Sequence, residues 1–540
     1  MKKKILIPFL ALGILLATVS FKKDFFEIAK QIEIFTTLFK ELNMNYVDET
    51  TPSDLINKAI KGMLDDLDPY TVYWNEQEVE DARINNSGVY TGIGATVRNK
   101  DGKMVVLEPF KGFPADIAGL KAGDEIITIN DINIKDHEGD SSELLKGMAE
   151  TKVNLTYLRQ GKKEETSLIR GAIDVHAVPF YQLIGDDIGY IVLSKFNKKT
   201  TKETKAALTD LKSQGATKLI LDLRGNPGGL LTEAVNIVNL FVPKGEPIVT
   251  TKSAVKKYNK TYKTQKTALD IEIPLVVLVN GRSASASEIV SGGLQDLDRA
   301  VIVGARSFGK GLVQRPKKLT YGTQLKVTIS RYYTPSGRCI QALDYWNRDE
   351  NGDPVRVDSK KYNSFKTKGG RTVYDGGGIM PDIELESGKF SPITTALLKN
   401  QVIFNYATQY YYSNKLESPD EFVFTDANFK EFLIFIKENK FEYETESEKL
   451  FSKAMRKTSE ENFKDNIDLS YKQLLTDIKK AKEGMLVANK KEIVTLLSDE
   501  ILKRYFYREG MYKYHLNHSP EIIEAVSVLK NESRYYKLLK

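Results

Sequence analysis

Cysteine is almost absent: Cys339 is the only one, so no internal disulfide can form even in an oxidising compartment. Histidine is scarce too. His137 and His176 fall in or beside a small β-rich module and His515 and His518 near the C-terminus, which disfavours a Ser-His-Asp hydrolase. His515 and His518 stand three apart, yet no cysteine or third ligand accompanies them, so neither a metal nor any other cofactor is expected. An excess of one charge is missing as well. Lys and Arg number 79 against 72 Asp and Glu, and the +7 balance is spread without a basic stripe, so no nucleic-acid partner is drawn from it. Glycine nearly disappears after Leu385, where Gly388, Gly484 and Gly510 are the last of 37.

What is present is an ordinary globular composition, 41% hydrophobic and 28% charged, over 540 residues. That length exceeds what one core sustains, so several domains are expected. An apolar run from Ile5 to Phe21, behind Met1-Lys2-Lys3-Lys4, approaches the lower length limit for a bilayer span. Residues 1–22 therefore read as a secretory signal or an uncleaved signal-anchor. Ala17-Thr18-Val19-Ser20 supplies small residues for cleavage, imperfectly because of Val19, and the lack of cysteine there excludes a lipoprotein anchor. Either fate exports the folded part, to the periplasm or the outer face of the cytoplasmic membrane, with the segment as membrane anchor if it is kept.

Residues 23–84 read as helical. Phe25, Ile28, Ile32, Phe35, Phe39 and Leu42 recur at steps of three and four, and Thr51-Pro52-Ser53-Asp54 opens a second helix through Leu67. The residues leave open whether these helices pack on the rest of the chain or pair with a second copy to make an oligomer. Residues 85–174 read as β-rich. Lys100-Asp101-Gly102-Lys103 is a hairpin signal between Ala95–Arg98 and Met104–Leu107. Pro114–Leu120 and Ser142–Met148 are short helices, and Gly123–Asp131 a strand and turn.

The largest region, 175–386, alternates strand and helix. Ile188–Leu193, Leu219–Arg224, Pro274–Val279 and Ala300–Val303 are apolar strands; Lys199–Leu211, a segment from Leu230, and Ser285–Leu297 are helices. This order predicts an α/β core with a parallel sheet, in which functional groups gather at the carboxyl ends of the strands. Ser285 sits at one such end and Lys310 just past another. Gly225-Asn226-Pro227-Gly228-Gly229, between a strand and a helix, turns amide hydrogens toward an anion. Asp344–Arg371 reads as a polar surface excursion, and Gly376–Ile383 closes the region. Residues 387–540 read as a separate domain with helices such as Phe429–Glu438 and Lys491–Phe506.

A serine hydroxyl needs a base, and lysine can serve only where burial lowers its pKa until it is largely neutral. In Ser283-Ala284-Ser285-Ala286-Ser287-Glu288-Ile289 the alanines leave room for a peptide carbonyl. In Phe308-Gly309-Lys310-Gly311 the glycines let the lysine backbone come close. A helix starting at Ser285 also puts the Ala286 amide where an oxyanion could be held. Other readings compete. Gly304–Gly311 is one residue short of a phosphate-binding loop, but Gly311 replaces the hydroxyl that would hold magnesium, and a β segment follows where a helix should. Ser307-x-x-Lys310 imitates the S-x-x-K of penicillin-interactive enzymes without their other motifs. The serines could also simply cap a helix, with Lys310 solvated.

Ser-Ala-Ser-Ala-Ser-Glu-Ile, a lysine in Phe-Gly-Lys-Gly 25 residues beyond its central serine, and Gln314 four further on together resemble the C-terminal processing peptidases, or tail-specific proteases. The resemblance implies Ser285 as nucleophile, Lys310 as general base, Gln314 as the residue orienting the lysine, and a crotonase-like βαβ superhelix as protease core. It places the second oxyanion donor at the Gly229 amide, with Gly228 the alternative, beside Ala286. Residues 85–174 resemble a PDZ domain through Gly-Asp-x-Ile-x-x-Ile-Asn at 123–130, which implies a carboxylate-binding loop at Gly92, Ile93 and Gly94. The implied function is cleavage of proteins with exposed C-terminal tails, without a cofactor. The alternative class is a catalytically silent PDZ-containing tether or scaffold.

Overall fold

The computed structural model describes residues 25–540 apart from 138, 351, 387–389 and 462. The expected signal or anchor at 1–22 lies outside them. The chain divides into two units, one ending at Asn75 and including Arg315–Thr328, the other comprising Glu76–Gln314 and Ile329–Lys540. No helix among the described residues is long and apolar enough to cross a membrane.

In the first unit residues 25–45 are helical, with Phe25, Ile28, Ile32 and Phe35 all exposed. A second helix, Pro52–Asp65, starts on the expected proline, although Thr51 makes no side-chain cap bond. Asp68 then turns the chain. Its carboxylate accepts the amides of Tyr70 and Thr71 at 3.0 and 3.1 Å and the hydroxyls of Thr71 and Thr328 at 2.9 and 3.0 Å. Val72–Trp74 thereby pairs antiparallel with residues 324–326.

In the second unit, Ala95–Lys100, Lys103–Pro109, Glu125–Ile129, Lys152–Arg159 and Lys162–Ile169 form an antiparallel sheet in that order around Met104, Val106, Ile126, Val153 and Leu155. Val89–Gly92 pairs with Gly171–Asp174, so the module's entry and exit lie side by side. The helix expected over Ser142–Met148 is instead a 3₁₀ turn, Ser141–Leu145. The Arg170 guanidinium takes the carbonyls of Leu144 and Leu145, at 2.6 and 3.3 Å, which a continuing helix would have used.

The main sheet consists of β1 (Phe180–Ile184), β2 (Ile188–Val192), β3 (Lys218–Asp222), β4 (Leu275–Val279), β5 (Val301–Gly304) and β6 (Ile383–Glu384), adjacent in chain order. β1 runs antiparallel to β2 and the rest are parallel. The helix α1 (Thr200–Ser213) lies between β2 and β3, α2 (Leu231–Asn239) between β3 and β4, and α3 (Ala286–Asp296) between β4 and β5. This is a βαβ superhelix, as expected. Alternate residues feed two cores because successive side chains point to opposite faces. Leu219, Leu221, Val277 and Ile302 pack with α1 to α3 on one face. Ile220, Val276, Leu278 and Val303 point the other way, into a core completed by Ile522, Ala525, Val528, Leu529 and Tyr535.

Those five residues belong to the C-terminal helices α5 (Pro520–Lys530) and α6 (Glu532–Leu538), which follow α4 (Lys490–His518). Residues 387–540 are therefore not a free-standing neighbour: their last helices cover the second face of the sheet. Both faces being buried explains why the strands read as continuous apolar runs. The expected helix Lys491–Phe506 is the first part of α4, and Tyr507, with φ 57° and ψ −166°, breaks it there. Beyond the break, Tyr507 donates to Asp116 at 2.6 Å and Arg508 pairs with Glu108 at 2.7 Å, both acceptors in the β-rich module. His515 bonds Asp499 at 2.7 Å and His518 stacks on Tyr514, so the two histidines have separate local partners. If the α5 contact completes the sheet's core, Ile522→Ala should lower stability by about 2–5 kcal/mol in a denaturant titration; an unchanged midpoint would contradict that packing.

Candidate active site

Three loops leave the carboxyl ends of β3, β4 and β5 and are bonded to one another. The loop after β3 is organised by Asn226, which is fully buried. Its side chain donates to the Leu193 carbonyl at 2.7 Å and accepts the Gly228 amide at 2.9 Å. Its main-chain carbonyl accepts the Ala284 amide at 3.0 Å and the Ser287 hydroxyl at 2.9 Å. Ser283 donates its hydroxyl to the Leu223 carbonyl at 2.7 Å. Two of the three serines are thus committed to the neighbouring loop, while Ser285 is half-buried at the turn into α3.

Ser285 has φ 56° and ψ −109°, an uncommon conformation for a residue with a Cβ, at the sharp turn into α3. Such strain persists only where surrounding bonds over-determine it. Here they do. The Ser285 amide donates to Glu288 Oε2 at 2.7 Å, its carbonyl accepts the amide of Glu288 at 2.9 Å, and the buried Tyr332 hydroxyl donates to that same carbonyl at 3.2 Å. Burial, and secondarily Glu288, push the Tyr332 hydroxyl well above its usual pKa, so it stays a donor.

Glu288 also holds the loop after β5. Its Oε1 accepts the Ser307 hydroxyl and the Gly309 amide, both at 2.6 Å, and its Oε2 accepts the Lys310 amide at 3.0 Å. The main-chain nitrogens of Ser285 and Lys310 therefore share one carboxylate oxygen and can be no further apart than those two bonds laid end to end. Burial pushes the Glu288 carboxyl up, while the Ser307 hydroxyl and the amides of Lys310, Gly309 and Ser285 pull it back. Four donors and the start of α3 together suit an ionised carboxylate. Lys310 is half-buried, and Gln314, also half-buried, lies on the strand Leu312–Lys318 that follows. Gly309, at φ +88°, has no room for a side chain: a Cβ would lie 2.3 Å from that of Ala342.

The two candidate oxyanion amides differ from the alternative. Ala286, first in α3, and Gly229, on an exposed loop, have amides without a hydrogen-bond partner among the described residues. Gly229 joins a parallel bridge to Phe196 through its neighbours' atoms, the Gly228 carbonyl and the Leu230 amide, leaving its own N–H out. The Gly228 amide is taken by Asn226. Gly228 instead supplies closeness, since a Cβ there would lie 2.9 Å from that of Ser285.

In the β-rich module Gly92 ends a strand, opposite Gly171, rather than sitting wholly in a loop. The carbonyls of Ile93 and Gly94 accept the amides of Ala115 and Phe110 at 2.7 and 2.8 Å. Ala95–Lys100, which follows, is an edge strand of its sheet, with Asn99 bonded to Ser141 of the 3₁₀ turn at 2.7 Å. An extended peptide adds to such an edge by main-chain bonds. A cavity of about 350 Å³ lined by Glu108, Asp116, Glu500, Arg504, Tyr507 and Arg508 contains none of the Ser285 constellation. Asp174, His176 and Glu203 offer ligand atoms within 4.8 Å of one another, but Lys199 already pairs with Asp174, and Glu203 accepts the Ala177 and Val178 amides.

The sequence alone points to no role for Glu288, Asn226 or Tyr332. A signal existed for the first: Glu288 stands three residues after Ser285, the spacing of a capping box.

Three family models match the chain: "Peptidase family S41" over residues 187–345, "PDZ domain" over 91–169, and "Probable PDZ-protease, C-terminal helical domain" over 393–529. The carboxy-terminal-processing protease of Bartonella bacilliformis is 39% identical over 321 residues, 58% of this chain and 73% of that protein. The carboxy-terminal processing protease CtpA of Bacillus subtilis is 36% identical over 307 residues, 56% of this chain and 65% of its own length. Among solved structures, a photosystem II D1 C-terminal processing protease shares 28% identity with a TM-score of 0.36, covering 65% of this chain and 86% of that one.

Replacing Glu288 by Gln puts an NH₂ group against two of the four donors. Glu288→Gln should cost at least about 1–3 kcal/mol in a denaturant titration, and the amides of Ser285, Gly309 and Lys310 should exchange hydrogen faster. Unaltered exchange at those amides would show that the carboxylate does not hold the two loops.

Proposed function

Because the chain belongs to the carboxy-terminal processing proteases of peptidase family S41, we propose that Ser285 is its nucleophile and Lys310 its general base. The chain is a serine-type peptidase with a PDZ domain, acting on the C-terminal tails of proteins. The observation that carries the residue assignment is the shared Glu288 carboxylate, which gathers the main chain of Ser285 and Lys310 at the ends of adjacent parallel strands.

In this reading Ser285 Oγ attacks the scissile carbonyl while Lys310 Nζ, uncharged at that moment, takes its proton. The amides of Ala286 and Gly229 hold the oxyanion, and their lack of other partners supports the assignment. When the C–N bond breaks, the lysine returns its proton to the leaving amine and an acyl-serine remains. Water then attacks the ester, again giving a proton to Lys310, and as the acyl–Oγ bond breaks the lysine passes that proton to Ser285 Oγ, which is released as a hydroxyl. Gln314 orients the lysine.

The PDZ domain takes the substrate's tail as an added strand along Ala95–Lys100, its terminal carboxylate on the amides around Gly92, Ile93 and Gly94. The protein works outside the cytoplasm, in the periplasm or on the outer face of the cytoplasmic membrane, and its N-terminal segment serves as signal or anchor. The exposed apolar residues of helix 25–45 are the surface on which an oligomer would form.

Ser285→Ala and Lys310→Ala should each abolish cleavage of an unstructured protein with an apolar tail, read by mass spectrometry of the products, while tail-peptide binding persists. Cleavage by the unsubstituted enzyme should rise from acidic to mildly alkaline pH as the lysine loses its proton. Full activity in Ser285→Ala would remove the proposal.

A further inference from the structure

Arg224 joins the C-terminal helices to the loop that carries the candidate oxyanion donor. It follows β3 by two residues and directly precedes Gly225, whose amide donates to Asn280 at 3.0 Å. Its guanidinium is divided between two sides. Nε and Nη2 grip the carboxylate of Asp222 at 2.6–3.0 Å. Nη1 reaches out of the protease region to the Ser519 hydroxyl at 2.7 Å and the Glu521 carboxylate at 2.8 Å. Ser519 in turn donates to Glu521 at 2.7 Å, so the two form one acceptor unit at the start of α5.

Asp222 cannot by itself fix where this loop lies, because it sits at the end of the same strand and its carboxylate also holds the Arg224 amide, at 2.9 Å. The loop is tied to Leu193 through Asn226, to Asn280 through Gly225 and, through Asp222, to the Tyr190 hydroxyl at 2.6 Å; a further anchor lies beyond the protease region. The start of α5 provides one, because its apolar face is embedded against the sheet through Ile522, Ala525 and Val528. Asn226 secures the loop from the Ser285 side, and Arg224 secures it from the opposite face of the sheet.

We propose that Ser519 and Glu521 are positioning residues for the peptidase reaction: by holding Arg224 they set the Leu223–Gly229 segment, and with it the Gly229 amide, against Ser285. This assigns the C-terminal helical domain a part in catalysis, and it rests on the reading of Ser285 and Gly229 given above. Neither residue touches substrate. Their contribution is to the geometry of a donor used only when negative charge develops, so it falls on kcat.

The test uses the full chain with Glu521→Gln, Ser519→Ala and Arg224→Lys, and an unstructured protein with an apolar tail as substrate. Glu521→Gln and Ser519→Ala should each lower kcat about tenfold or more, as small misplacements of catalytic groups do, with KM and tail-peptide affinity within about twofold. Affinity for a peptide aldehyde, which places an oxyanion on the same amides, should fall by the factor seen in kcat. In the Arg224→Lys background Glu521→Gln should add no further loss, because both act through one contact. Glu524→Gln, which removes a pair to Arg534 within the same helices, should leave kcat unchanged. Wild-type kcat in both α5 variants, a loss confined to KM, multiplicative losses with Arg224→Lys, or an equal loss in Glu524→Gln would each overturn the proposal. Cleavage retained by Ser285→Ala would instead remove the underlying reading, so the two failures are distinguishable.

Discussion

One buried carboxylate holds the candidate reaction centre together. Glu288 accepts from the Ser285 amide on one side and from Ser307, Gly309 and Lys310 on the other. Apart from Glu288, the two loops are tied here by the Phe308 amide on the Ser283 carbonyl at 3.1 Å, and each hydrogen bond to a charged group contributes about 1.5–3 kcal/mol. The arrangement also holds Ser285 in a conformation that a residue with a side chain seldom adopts. Gly309 and Gly228 are the complements of this clamp. Without side chains they let Ala342 and Ser285 approach closely enough for the bonds to form.

The sheet beneath makes the same demand on a larger scale. Its strands are apolar on both faces, so a single layer of helices leaves half of it unburied. The helices α1, α2 and α3 close one side, and α5 and α6, from the far end of the chain, close the other. The C-terminal region therefore belongs to the core of the protease. Its helix α4 carries Tyr507 and Arg508 against Asp116 and Glu108, so one helix touches the PDZ domain before its successor touches the sheet.

Much of this was legible in the sequence. Continuous apolar runs marked β2 to β5, since burial on both faces leaves no alternation to read, and α3 spans Ala286–Asp296 against an expected Ser285–Leu297. The motifs around Ser285 and Lys310 could be singled out because they are local, and Gln314 came only with the resemblance they carry. Contacts between distant residues could not. Glu288 was visible as a capping-box residue, but its bonds to Gly309 and Lys310 depend on where β5 lies. Arg224 meets Glu521, almost 300 residues away, and no local pattern announces such a partner. The helix expected at Ser142–Met148 failed for a related reason, because Arg170 takes its carbonyls from across the module. Likewise, the change of composition after Leu385 marks a boundary in texture, whereas the core continues across it.

The proposed reaction depends on the hydroxyl of Ser285 becoming acylated with help from Lys310. Rapid quenching of the enzyme with a slowly hydrolysed ester substrate, followed by peptide mapping, reads that step directly. The expected result is an acyl group on the peptide containing Ser285 that fails to accumulate in Lys310→Ala. An acyl group on any other residue, or steady turnover with Ser285 never modified, would contradict it.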